Sequence, residues 1–225
     1  MRVLASADLH GRRLAYEWLV RAASEHRVEA VVLAGDLFGC LDGFASPEDA
    51  QQYEAELISD RLGHAGFPVF YIMGNDDLVD LNPTELSIQS IHGRRLPFGP
   101  YWLVGYQYSL PFMGGTFEKP EAGIQADLAA LEGLVDANTV FVSHSPAHGI
   151  LDPGYGDTRI GSSALREFLD RHAHRAHIHG HSHAGFGRQG SHFNVASAGR
   201  ERAMILDLDT MEHQIIEGPR SKVEA

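Results

Sequence analysis

Cysteine is almost missing from this chain: Cys40 is the single thiol among 225 residues. No intrachain disulfide can form, which fits a reducing cytoplasm. Basic charge is also scarce, with 18 Lys and Arg against 30 Asp and Glu and a formal net charge of −12. Binding to polyanions rests largely on Lys and Arg neutralising phosphates, so stable association with nucleic acid is not expected. A small phosphorylated substrate held by metal ions is not excluded by that argument. No apolar run approaches the roughly 18 residues that a membrane span needs. The N-terminal run meets a charge at Asp8, too early for the core of a signal peptide. The expectation is a soluble cytoplasmic protein with no membrane partner. Repeats of fixed period and low-complexity linkers are absent as well, and the length favours one domain over residues 1–220. Residues 221–225 read as a frayed tail.

What the chain does have is a series of short apolar runs that stop abruptly at polar residues. Val3–Ala7 ends at Asp8-Leu9-His10-Gly11, Ala30–Ala34 at Gly35-Asp36, and Val69–Met73 at Gly74-Asn75-Asp76-Asp77. Further on, Thr139–Ser143 ends at His144-Ser145-Pro146, and the tract Ala176–Ala184 carries four alternate histidines around Gly180. Each run has the form of a buried strand delivering polar groups at its C-terminal tip. Helical spacing separates the runs: Leu14, Trp18 and Ala22 with Ala15, Leu19 and Ala23; then Tyr53, Leu57, Ile58 and Leu62. Ser46-Pro47-Glu48-Asp49 marks the start of that second helix, with a capping serine and proline in the first turn. Helices are also expected over Lys119–Asp136, with Ile124, Leu128, Leu131 and Val135 on one stripe, and over Ser162–His172. The stretch Ile88–Tyr108 reads as short antiparallel hairpins, and a last hairpin, Ala203–Leu208 with Glu212–Ile216, turns at Asp209-Thr210.

The strand tips supply Asp8, His10, Asp36, Asn75, His144, His181 and His183. In an α/β architecture the C-terminal ends of neighbouring strands face one crevice, so these groups can converge there. Mixed carboxylate, amide and imidazole donors suit divalent ions such as Mn, Fe, Zn or Mg. Seven donors are too many for one tetrahedral site and suit two metals sharing one carboxylate. Such a pair can hold a hydroxide nucleophile between them and clamp a phosphoryl oxygen.

In order, the blocks D-L-H-G, G-D-L-F, G-N-D-D, H-S-P and G-H-S-H resemble the five signature motifs of the calcineurin-like metallophosphoesterase superfamily. They run from residue 8 to residue 183. The resemblance implies a four-layer α/β/β/α sandwich, two facing mixed β-sheets flanked by helices, with a dinuclear site at the strand ends. It assigns Asp8, His10 and His183 to one metal, Asn75, His144 and His181 to the other, and Asp36 as the bridge. The implied activity is hydrolysis of a phosphomonoester or phosphodiester, with a small phosphorylated substrate as partner. A catalytically silent scaffold and a nuclease of the same superfamily are the alternatives.

Asp76 departs from the family pattern, in which histidine commonly follows the motif asparagine. A carboxylate there repels a phosphate unless it is protonated or turned away. Asp77 stands where the family has its usual acid, and its partner is open. The remaining candidates for catalytic work are His148 as a proton donor and Arg12 or Arg159 as phosphate clamps, Arg being suited to phosphate geometry. Each of these has an equally ordinary reading as a surface side chain, as does Arg13. His172, His174, His177, His179 and His192 read as surface groups or as groups that orient a ligand. Trp18 and Trp102 read as core, and Cys40 as a buried neutral thiol near the site. The segments 77–121 and 148–161 are expected to rim the site, with Phe98, Tyr101, Tyr106, Tyr108, Phe112, Gly114 and Gly115 stacking on substrate or packing.

Overall fold

A computed structural model describes residues 1–218; the expected tail at 221–225 lies outside the described residues. Two six-stranded sheets face one another. The first contains β1 (Arg2–Ser6), β2 (Ala30–Ala34), β3 (Val69–Ile72) and β4 (Ile88–Ser90), with β11 (Arg202–Asp207) and β12 (His213–Glu217) completing it in the order β12-β11-β1-β2-β3-β4. The second contains β5 (Arg95–Phe98), β6 (Tyr101–Tyr106), β7 (Thr139–Ser143) and β8 (Ala176–His179). It is completed by β9 (Gly187–Gln189) and β10 (His192–Asn194) in the order β5-β6-β7-β8-β10-β9. Helices α1 (Arg13–Glu25) and α2 (Pro47–Gly63) cover the first sheet; α3 (Glu121–Leu131) and α4 (Ser163–Arg171) cover the second.

Strand alternation divides the apolar residues among three layers of core. On β1, Leu4 packs toward α1 and α2, while Val3 and Ala5 face the opposite sheet. On β2, Val31 and Leu33 take the helix side, and Ala30, Val32 and Ala34 the inter-sheet side. The second sheet does the same, with Val140 and Val142 inside and Phe141 under α3 and α4. Both faces of each sheet are therefore buried, which is why these strands are continuous apolar runs rather than alternating ones. The four-layer expectation holds.

Three local expectations need correction. Ile88–Tyr108 is not one antiparallel unit: β4 runs parallel to β3 in the first sheet, and only β5 and β6 form an antiparallel pair. The third helix stops at Leu131 and continues as a 3-10 turn, Glu132–Leu134. On α2 the expected stripe is half wrong. Ile58 and Leu62 are buried, but Tyr53 and Leu57 are exposed, and Gln51 and Glu54 lie buried instead.

Candidate metal centre

Every strand tip singled out in the sequence lies at one edge of the two sheets. Asp8 and His10 follow β1, Asp36 follows β2, Asn75 follows β3, His144 follows β7, and His181 and His183 follow β8. These are parallel neighbours within their sheets (β1 with β2, β2 with β3, β7 with β8), so their C-terminal ends point the same way. Donor atoms of Asp8, His10 and His183 lie within 4.8 Å of one another, as do those of Asp36, His144 and His181, and those of His10, Asp36 and Asp76. His183 Nε2 is 3.0 Å from Asp8 Oδ1, and His144 Nε2 is 3.2 Å from Asp36 Oδ1 and 3.0 Å from Asn75 Oδ1. His10 and Asp36 belong to two groups each, which makes one continuous cluster.

The backbone is strained where these donors sit. Asp8, His10, Asp36 and His181 all have positive φ, between 47° and 64°. Such conformations cost about 1–3 kcal/mol each and persist where surrounding contacts enforce them. Two glycines explain how the loops come so close. A Cβ on Gly74 would stand 2.2 Å from Asp36 Oδ1, and one on Gly180 would stand 2.5 Å from Asp8 Oδ2. Each motif's glycine thus makes room for another motif's carboxylate.

The electrostatics suit bound cations. Asp8 and Asp36 are buried carboxylates. Burial by itself would raise Asp36, but the adjacent His144 ring outweighs it and holds the carboxyl well below its ordinary range. Burial would likewise lower His144; the Asp36 charge overrides it and lifts the imidazole to about 10. His181 is pushed down to about 4 by burial and by the His144 charge. His144 Nδ1 donates to the Ala34 carbonyl at 2.8 Å, so its Nε2 is the nitrogen presented to the cluster. A ligating histidine is typically oriented in this way, by a backbone carbonyl on its other nitrogen. Two buried carboxylates, four imidazoles and an amide oxygen fit a pair of divalent cations.

Asp76 is not turned away. Its Oδ1 accepts from Asn75 Nδ2 at 2.7 Å, its backbone N–H donates to Asp36 Oδ1 at 2.9 Å, and its Oδ2 is 3.6 Å from His10 Nδ1. Desolvation and the Asp36 charge raise its pKa. The other candidates divide. Arg12 is exposed beside Gly199, whose N–H donates to the Asp8 carbonyl; among the described residues it has no ion-pair partner. His148 and Arg159 both turn to the buried Asp152, at 3.8 and 2.6 Å, and His148 belongs to none of the three donor groups. Arg13 pairs with Glu17 on the surface of α1.

Several residues that matter here were given no role by the sequence, or, like Asp77, no partner. Asp77 is fully buried and accepts three backbone hydrogen bonds, from Leu37 and Phe38 (both 2.9 Å) and from Gly74 (2.8 Å). It staples the G-D-L-F loop to the G-N-D-D loop. From α2, Gln51 donates to the carbonyls of Gly39 and Asp76 and accepts from Leu78 N–H, while Glu54 accepts from Gly39 N–H. Glu118 accepts from the N–H groups of Phe112, Met113 and Gly114, folding residues 112–115 over the site. Phe112 stands edge-on to His181, with ring centroids 6.4 Å apart.

A groove of about 510 Å³ opens from His10, Asn75 and Asp76 and runs between the loop after β2 and residues 113–115. Cys40 lies on its wall and is exposed, not buried as expected. Of the expected rim aromatics, Phe98 and Tyr101 lie in the inter-sheet core and Tyr106 in the core under α3 and α4. Trp18 is core, whereas Trp102 is only partly buried, with the Arg95 guanidinium 4.3 Å from its ring centre. His177 and His179 are fully buried on β8 rather than at the surface.

The calcineurin-like phosphoesterase family profile matches residues 1–185. The chain belongs to that family. Solved structures with the same fold include TT1561 of Thermus thermophilus, at 18% identity and a TM-score of 0.72, covering 96% of this chain and 98% of that one. A dimetal phosphatase from Danio rerio is similar at 15% identity and a TM-score of 0.60, over 96% and 98%. GAP50, the anchor in the inner membrane complex of Plasmodium, is similar at 13% identity and 0.51, over 99% and 90%. At these identities the likeness is one of fold. No curated protein sequence matches the chain. Among the described residues no helix is long and apolar enough to cross a membrane.

Proposed function

We propose that this chain is a dinuclear metal-dependent phosphoesterase acting on a small phosphomonoester or phosphodiester. The observation that carries the reading is the convergence of three overlapping acid–imidazole groups at the strand tips of two sheets. Asp8, His10 and His183 would hold one divalent ion, and Asn75, His144 and His181 the other, with Asp36 shared between them. Mn, Fe, Zn and Mg all suit these donors. Bound there, the ions would supply Lewis acidity toward a phosphoryl oxygen and an activated water.

The protein's own part is positional. Ala34 aims His144, and Asp76 holds the Asn75 amide so that its oxygen, not its nitrogen, faces the cluster. Asp76 also brings a further oxygen to the His10–Asp36 edge, which supports a donor role in place of the family's histidine. Arg12 lies beside Gly199 on the Asp8 side and has no ion-pair partner among the described residues, which supports a role in clamping a phosphate. The contacts of His148 and Arg159 with Asp152 support a role in ordering the 148–161 loop.

The test is chelation followed by reconstitution with each ion, assayed on one chromogenic monoester and one diester. Turnover should vanish on chelation and return with about two ions per chain. A fully loaded protein that turns over neither ester would instead be a scaffold.

A further inference from the structure

The groove beside the cluster points to the other half of the substrate. We propose that it seats an uncharged, apolar leaving group, so that the substrate is an amphiphilic phosphoester: phosphoryl group on the cluster, aromatic or hydrocarbon portion in the groove. This rests on the phosphoesterase reading above and specifies its substrate class.

The first observation is continuity. The groove begins at His10, Asn75 and Asp76, so whatever is bonded to a phosphoryl group at the cluster enters it directly. Its volume, about 510 Å³, is that of a small-molecule site. The second is the chemistry of its walls. Pro47, Leu78 and Met113 supply the apolar side chains, with Cys40, the buried Phe38, and Gly39, Gly114 and Gly115 between them. The polar groups among them are already occupied. Gln51 uses its amide nitrogen on two carbonyls and its oxygen on Leu78 N–H. The Asn75 amide nitrogen is held by Asp76. Little hydrogen-bonding capacity is left for an occupant, so recognition falls to apolar burial.

The third observation is charge. Among the described residues no Lys or Arg lines the groove, and its one carboxylate, Asp76, lies at the cluster end, 3.6 Å from His10. A second phosphate, as in a nucleoside diphosphate, a pyrophosphate or a polynucleotide, would meet a like charge with no cation to offset it. The fourth is the apron outside the mouth. Leu41 and Phe44 follow Cys40 in the chain and are exposed, with Phe44 5.4 Å from Tyr53; Phe112 and Met113 are exposed on the facing loop. Apolar side chains left exposed on both sides of a groove mark a surface that meets apolar material.

The experiment compares esters matched in leaving-group chemistry: 1-naphthyl against phenyl phosphate, and decyl against methyl phosphate, each as monoester or methyl diester, with ADP as the charged control. The larger apolar member of a pair should exceed the smaller by about tenfold or more in kcat/KM, an amount that burial of a few carbons readily provides. The aryl and alkyl arms show whether the natural group is aromatic or a chain. Met113→Glu, on an exposed residue where folding is not at stake, should raise KM for the larger member and bring the ratio toward one. Equal rates within both pairs, or ADP as the best substrate, would overturn the proposal. A readout independent of turnover is the alkylation rate of Cys40 on the groove wall. It should fall with 1-naphthylmethylphosphonate present and not with methylphosphonate. If no ester is hydrolysed yet Cys40 is protected, the phosphoesterase reading fails and the groove assignment stands. If neither happens, both fail.

Discussion

A buried carboxylate that accepts three backbone N–H groups does a job that no neutral residue of its size can copy. Asp77 takes two on one oxygen and one on the other. In Asp77→Asn one of those positions becomes an NH₂ group facing an N–H, and at least one buried donor loses its acceptor. The expected cost is about 1–3 kcal/mol. Because the loops so joined carry Asp36 and Asn75, metal affinity should fall as well, by roughly 10–100-fold, as for other groups that orient metal ligands. Denaturant unfolding of the metal-free protein and metal titration check the two halves separately. A loss of stability with unchanged affinity would mean that the staple does not position the cluster.

At the scale of elements, α2 and β8 show how much a helix or strand depends on what it faces. The N-terminal half of α2 lies over the loops at Gly39 and Asp76–Leu78, whose backbone groups require partners. Gln51 and Glu54 therefore turn inward, and Tyr53 and Leu57 turn out. On β8, His177 is locked as a neutral ring. Ser143 donates its hydroxyl proton to the Ser145 carbonyl, so His177 Nε2–H donates to Ser143, at 2.8 Å. His177 Nδ1 is then an acceptor, for His192 Nδ1–H at 3.0 Å. Burial, reinforced by the neighbouring histidines, lowers both rings, with His192 at about 4. A folded-state pKa below the unfolded value near 6.5 means that the unfolded chain binds more protons as acidity rises. This contribution to stability is complete above pH ~6.5 and is lost as pH falls toward ~4. His192→Asn keeps a donor nitrogen but cannot titrate. Its acid-unfolding midpoint should lie at lower pH than that of the natural protein, and an unchanged midpoint would remove the pair from the account.

For the whole molecule, the cluster joins the two sheets, since Asp8, Asp36 and Asn75 come from one and His144, His181 and His183 from the other. In the metal-free fold the His144 proton supplies positive charge beside Asp36, and it is held with a pKa of about 10. A metal ligated through Nε2 must displace it. Below that pKa, uptake should release about one proton from His144, and apparent affinity should rise about tenfold per pH unit. Calorimetry in buffers of different ionisation enthalpy measures the proton count. A count of zero near neutral pH would show that His144 does not ligate.

What the residues alone determined is local and repetitive: five apolar runs ending in glycine, acid, amide or imidazole, which named the seven candidate donors, while the four-layer architecture was implied by the family those blocks resemble. Those donors were legible because each sits at a fixed offset from a strand end, and strand direction carries it to a common edge. The Ser46 cap and the starts of the helices were legible for the same local reason. Tertiary structure decided the rest. It placed β4 parallel in the first sheet, turned α2 by the needs of the loops beneath it, and buried His177 and His179 between neighbouring strands. It drew Arg159 and His148 to Asp152, and exposed Cys40 on a groove wall built from segments far apart in the chain. Periodicity records how apolar a face is. It does not record which backbone groups that face will meet, and here those groups chose Gln51, Glu54, Asp77 and Glu118 as the supports of the site.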